Sequence, residues 1–147
     1  MFKRILVATD GSPLSKKAVS SAIAMAAQHG AELVALTVVP RYPTNYFDGA
    51  AVFTPEDIGR IEKQWSDAAN TSLEAVARDA EASGVRVRTA TVSADLVADA
   101  IIAAAQKHDC DLIVMASHGR QGLKRLLLGS ETQHVLTHSE LPVLVLR

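Results

Sequence analysis

DLIVMASHGRQGLKRLLLGS, residues 111–130, is the most telling stretch of this chain. Its first six residues are a short apolar run that reads as a buried strand. A loop follows with Gly119, Gly122 and Gly129 and a Leu-rich turn. Ser130-Glu131-Thr132-Gln133 has the spacing of a capping box, which predicts a helix to about Ser139. Pro142 then leads into a last strand, VLVLR, 143–147.

Upstream the alternation repeats. RILVAT, 4–9, is a β-branched strand closed by the turn formers Asp10-Gly11-Ser12-Pro13. Ala18, Val19, Ala22, Ile23, Ala26 and Ala27 recur at helical steps, and Gly30 ends them. ELVALTVV, 32–39, is a second strand. Thr54, Pro55 and Asp57 open a long helix as a capping box. Its expected inner face runs through Ile58, Ile61, Trp65, Ala68, Ser72, Ala75 and Val76, to a stop at Gly84. VRVRTATV, 85–92, alternates as a half-buried strand, and Leu96, Val97, Ala100, Ile101, Ala104 and Ala105 mark a third helix. Strands alternating with helices predict a three-layer, Rossmann-like α/β fold. Its sheet is parallel, with right-handed crossovers and helices on both faces.

Composition narrows the function. A length of 147 residues predicts one domain, 1–147. Fifteen Lys+Arg against sixteen Asp+Glu leave a net charge of -1, which gives no footprint for nucleic acid or an anionic membrane. A single cysteine excludes an internal disulfide framework and a Cys-rich zinc site. No apolar run has the length of a bilayer span, and the N-terminus lacks the pattern of a signal peptide. A cytoplasmic protein is expected.

In an open parallel sheet, ligands bind beyond the carboxyl ends of the strands, where strand order reverses. That rule selects Ala8, Thr9 and Asp10, then Val38 to Pro40, and Ala116 to Gly119. Gly129-Ser130 stands at a helix start, where unpaired N–H groups and a partial positive charge suit phosphate oxygens. Arg120, Lys124 and Arg125 add positive charge to the same loop. Each feature alone has a plainer reading, as a cap or a solvated face; together they favour an anion. Asp10 either holds a ribose or metal or caps the turn at Gly11. His134 and His138 are four apart on one helix and read as an exposed pair before a metal site. His118 contacts a phosphate or satisfies the loop's own backbone. Cys110 reads as core, and Trp65 as core or interface. There is no GxxxxGK[ST], no GxGxxG after the first strand and no GxSxG. P-loop, dinucleotide-binding and nucleophile-elbow chemistries are therefore set aside.

ILVATDGS at 5–12, the 111–130 segment and PVLVLR at 142–147 together resemble the universal stress protein family, over the whole chain. The resemblance implies a five-stranded parallel sheet in order 3-2-1-4-5 and, in one class of members, ATP binding. Those members carry G-x-x-G, nine residues, then G-[ST]. Here Gly119, Gly129 and Ser130 keep the pattern, and Ala116 replaces the first glycine. By the same resemblance, Ala8, Thr9 and Asp10 face the adenosine and Val38 bonds adenine through its backbone. Met115, Ala116, His118 and Gly119 line ribose and phosphates, with Arg120 beside them. Gly129, Ser130, Glu131 and Thr132 hold the phosphate end. An acid at 131 repels phosphates unless it points away or meets a bound Mg²⁺.

The leading expectation is an ATP-binding stress-response protein with at most weak hydrolysis. It would act through nucleotide-dependent conformation or partner binding. The alternatives are a nucleotide-free dimeric module of the same family, and a phosphate-holding enzyme or flavin carrier using Thr9, Ser12 and Ser15. The flat apolar run 143–146 at a sheet edge predicts a symmetric homodimer. The segment 40–54, with Tyr42, Tyr46, Phe47 and Phe53, is expected to cover the pocket or meet the dimer partner.

Overall fold

The computed structural model describes residues 1–41, 53–119 and 128–147. Its elements run β1 Arg4–Ala8, α1 Pro13–His29, β2 Glu32–Val39, α2 Pro55–Ala82, β3 Val87–Ser93, α3 Val97–Lys107, β4 Leu112–Ala116, α4 Ser130–His138 and β5 Val143–Leu146. The strands form one parallel sheet in the order β3-β2-β1-β4-β5, as expected.

Alternation along each strand sends neighbouring residues to opposite faces. Ile5, Val7, Leu33, Ala35, Leu112 and Val114 pack under α1 and α2, against Ala18, Ala22, Leu73 and Val76. Leu6, Val34, Leu36, Ile113 and Met115 pack under α3 and α4, against Ile101, Ala105 and Val135. Central β1 is therefore covered on both faces, and Ile5, Leu6 and Val7 have no exposed surface. Every residue of β5 is only partly buried.

The helix ends follow local chemistry. Gly11, at φ 78°, turns the chain so that Ser12 can cap α1 by accepting from the Ser15 amide. Gly30, at φ 65°, closes α1 in the left-handed conformation that glycine adopts at no steric cost. Thr54 and Asp57 form the expected reciprocal capping box at the start of α2. At the amino ends of the strands, Arg4 donates to Glu32 and to the His108 carbonyl, and Asp111 accepts from the Lys3 and Arg4 amides. The Arg4 guanidinium holds the Glu32 carboxyl below the usual carboxylate range.

Four local expectations are corrected. β1 stops at Ala8, because the Thr9 carbonyl leaves the ladder to accept from the Thr37 hydroxyl. β3 starts at Val87, since the Val85 amide closes the turn onto Ala80. The capping box at Ser130 does not form: Gly129 is the cap residue, with no side-chain cap bond, and Ser130 is already helical. The inner face of α2 is Ala69, Leu73, Val76 and Ala80, and Trp65 is 37% exposed rather than core.

Candidate functional site

β1 and β4 are neighbours whose following helices go to opposite faces, α1 to one and α4 to the other. A crevice must open above their carboxyl ends. It is there, with about 560 Å³ of empty space including its open mouth. Its lining comes from every neighbouring element. β1 and its loop supply Ala8, Thr9 and Asp10, and β4 with its loop supplies Met115, Ala116, His118 and Gly119. β2 adds Leu36 and Val38, α1 Ser15, α3 Val97 and Ile101, and α4 Glu131 and Thr132.

One wall is apolar. Leu36 and Met115 rise from the sheet and, with Val97 and Ile101 of α3, form an apolar slot. Val38 stands at its end. Leu36 accepts from the Thr9 amide, so even-numbered residues of β2 turn their backbone groups towards β1. β1 ends opposite Leu36. The Val38 N–H and C=O therefore point past the end of β1, at the open crevice.

The opposite wall is polar, and much of it is already engaged. The Thr9 hydroxyl lies 3.0 Å from that of Ser15 and accepts from the Gly11 amide; Ser15 in turn donates to the Ser12 carbonyl. These hydroxyls hold the loop, which weighs against their use as a phosphate cradle. Asp10 Oδ1 accepts from the Ser12 amide at 2.9 Å. Its Oδ2 lies just where a side chain at 119 would start: a Cβ there would be 2.6 Å away. Gly119 thus lets the β4 loop pass close over the Asp10 carboxylate. The buried Thr132 hydroxyl donates to the Ala116 carbonyl at 2.8 Å and ties α4 to the end of β4. Ala116 is a strand residue without positive φ, so its methyl group causes no backbone strain.

Glu131 lines the crevice on the side of α3. Its Oε2 accepts from the Ala98 amide at 2.8 Å, in the first turn of α3. Gly129 and Ser130 are not among the lining residues. Gly129 instead packs on the β4 loop, where a Cβ would meet the Ser117 carbonyl oxygen at 3.2 Å and the His118 Cα at 3.3 Å. Arg120, Lys124 and Arg125 lie outside the described residues, as do Tyr42, Tyr46 and Phe47. Phe53, at the edge of the described part, is 52% exposed.

The slot residues Leu36, Val97 and Ile101 and the hydroxyl of Ser15 are lining positions that the family motif does not single out. Leu36 was legible only as a strand residue, and Val97 and Ile101 as the inner stripe of a helix. Other candidates fall away from the crevice. His134 pairs with Asp99 at 2.8 Å and stacks on His138, on the outer surface of α3 and α4. Cys110 is buried, and loss of solvent pushes its thiol up to about 11.

Comparison with known proteins agrees with this geometry. Universal stress protein YxiE of Bacillus subtilis is 34% identical over 150 residues, covering all of both chains. The solved structure of the universal stress protein UspA from Lactobacillus plantarum superposes with a TM-score of 0.84 at 26% identity. It covers 99% of this chain and 97% of that one. A universal stress protein solved in complex with cAMP matches with a TM-score of 0.71 at 25% identity, over 99% and 97% of the two chains. The model of the universal stress protein family matches residues 1–147. The chain belongs to the universal stress protein family.

Proposed function

We propose that this protein binds an adenine nucleotide, ATP by its glycine spacing, in the crevice over β1, β2 and β4. It acts in the stress response through nucleotide-dependent conformation or partner binding, from the cytoplasm and as a homodimer through 143–146. The observation that carries the reading is the crevice itself. An apolar slot ends at the outward-facing backbone of Val38 and opens, on the other side, onto Asp10, His118 and Gly119. A base fits the slot and finds a donor and an acceptor at its end, and the sugar then lies by Asp10. The cAMP complex of the relative supports the ligand class. The motif residues Gly129 to Thr132, with Arg120, take the phosphate end. Mg²⁺ would arrive with the phosphates, which supply most of its ligands in such sites. No cluster of three or more acidic, His or Cys side chains is present among the described residues.

Mass spectrometry of small molecules released from the freshly purified, denatured protein tests the reading directly. An adenine nucleotide is expected in the released fraction. Calorimetric titration with ATP, ADP and adenosine is the second arm. Failure to release or bind any of them overturns the proposal.

A second reading, a nucleotide-free dimeric module, is favoured by Ala116 standing where the binding class has glycine. The variant Ala116→Gly separates the two. On the first reading it binds ATP as well as the natural protein or better. If only the variant binds, the alanine has switched the site off.

A further inference from the structure

α3 opens without a cap of its own. Its N-cap residue is Leu96, whose side chain can accept nothing, and no side-chain cap bond is made from that position. The first-turn amides of a helix need acceptors and carry a partial positive charge. Here the acceptor comes from another element. Glu131, in the first turn of α4, reaches across to the Ala98 amide at 2.8 Å. Ala98 is 3% exposed, so that amide has little access to water. Val97 beside it and Glu131 itself both line the crevice.

The protein has therefore placed its own carboxylate where the start of α3 meets the site. That arrangement has two consequences. It spends the positive end of α3 on an internal anion. It also leaves a full negative charge on the crevice wall, next to Thr132 and close to where the proposed nucleotide would carry its phosphates. In the described lining, Asp10 is a second carboxylate, and His118 is the one group there that can become a cation.

We infer that Glu131 determines ligand specificity in this site by opposing phosphate-bearing ligands, so that affinity depends on the charge of the tail and not only on the adenosine. The inference rests on the adenine-nucleotide reading of the crevice. The repulsion acts through the partly open mouth, at an effective dielectric nearer to water than to a protein interior, so each phosphate charge feels it modestly and salt weakens it.

The test compares the natural protein with Glu131→Gln, titrated with adenosine, AMP and ATP at low and at high salt. Gln keeps a neutral oxygen to accept from the Ala98 amide, so the start of α3 stays capped; a thermal melt checks this. Adenosine affinity is expected to stay within about twofold. ATP affinity is expected to rise at least fivefold at low salt, about 1 kcal/mol, with AMP between and the gain shrinking at high salt. Glu131→Ala, which removes cap and charge together, should show the same preference for charged ligands together with a lower melting temperature. If Glu131→Gln changes adenosine and ATP by the same factor, Glu131 is only a cap and the inference is wrong. If adenosine binds neither protein, the nucleotide reading beneath it falls as well.

Discussion

Asp10 and Gly119 act as one unit across the mouth of the crevice. A methyl group at 119 would start 2.6 Å from Asp10 Oδ2. The obstacle is the end of a side chain and not backbone, so it can shift, at the expense of the carboxylate's bond to the Ser12 amide. Gly119→Ala is therefore expected to fold normally and yet to weaken adenosine and ATP alike. Asp10→Ala should do the same, each by about threefold to tenfold in calorimetric titration, roughly 0.6–1.4 kcal/mol. If both variants bind adenosine like the natural protein, the carboxylate does not serve the sugar. Gly129 differs because its neighbours are backbone. A Cβ there meets the Ser117 carbonyl and the His118 Cα at 3.2–3.3 Å, and neither can rotate out of the way. Gly129→Val must push the start of α4 off the β4 loop. An ATP affinity at least about tenfold weaker, 1.4 kcal/mol, is expected, together with a lower melting temperature. Unchanged ATP affinity would detach Gly129 from the site.

The elements show where cooperation between parts enters. At the start of α2, the Thr54 hydroxyl and then the Thr54 amide hold the Asp57 carboxyl below the usual carboxylate range. A group depressed on folding stabilises the native state above its unfolded pKa, near 4. That contribution is lost as pH falls through the folded value. Thr54→Ala should cost about 1 kcal/mol at neutral pH and shift the titration of Asp57 upwards in an NMR pH series. An unmoved Asp57 titration would show that the cap is not formed in solution. This box was legible because its parts are three residues apart. The one at Ser130 looked equally good in sequence. It fails because Gly129 already takes the cap position, while the Thr132 hydroxyl is drawn to the Ala116 carbonyl, a partner remote in sequence. The partner of Glu131 was illegible for the same reason: Ala98 lies on another helix. The alternation of strands and helices was readable because its patterns are local; strand order came from the family resemblance, and crevice position from the strand ends. The slot formed by Leu36, Val97 and Ile101 was not, because three elements build it. The inner face of α2 was read as running its full length. Twenty-eight helical residues span about 42 Å, whereas the eight residues of β2 span about 26 Å. The first part of α2 thus has no sheet beneath it, and its most N-terminal buried residue is Ala69.

For the whole molecule, the decisive asymmetry lies between the two sheet edges. β3 pairs with the long β2 over seven residues, while β5 meets β4 over four. β5 carries Val143, Leu144, Val145 and Leu146, none of them fully buried, and among the described residues no strand pairs with its outer side. A symmetric dimer in which this strand meets its twin would cover both. Light scattering at micromolar concentration should give the dimer mass, and a charge-bearing variant such as Val145→Lys should lower it; a monomer mass for the natural protein removes the proposal. The overhang of α2 has an optical consequence. Trp65 is the single tryptophan, and it sits on that overhang, four residues before Ala69 and 37% exposed. Its emission reads the polarity around the first half of α2 rather than that of the packed interior. A soluble quencher should dim it in the native state. A melt followed by its colour records the surroundings of α2 alone, whereas far-ultraviolet circular dichroism records all four described helices together.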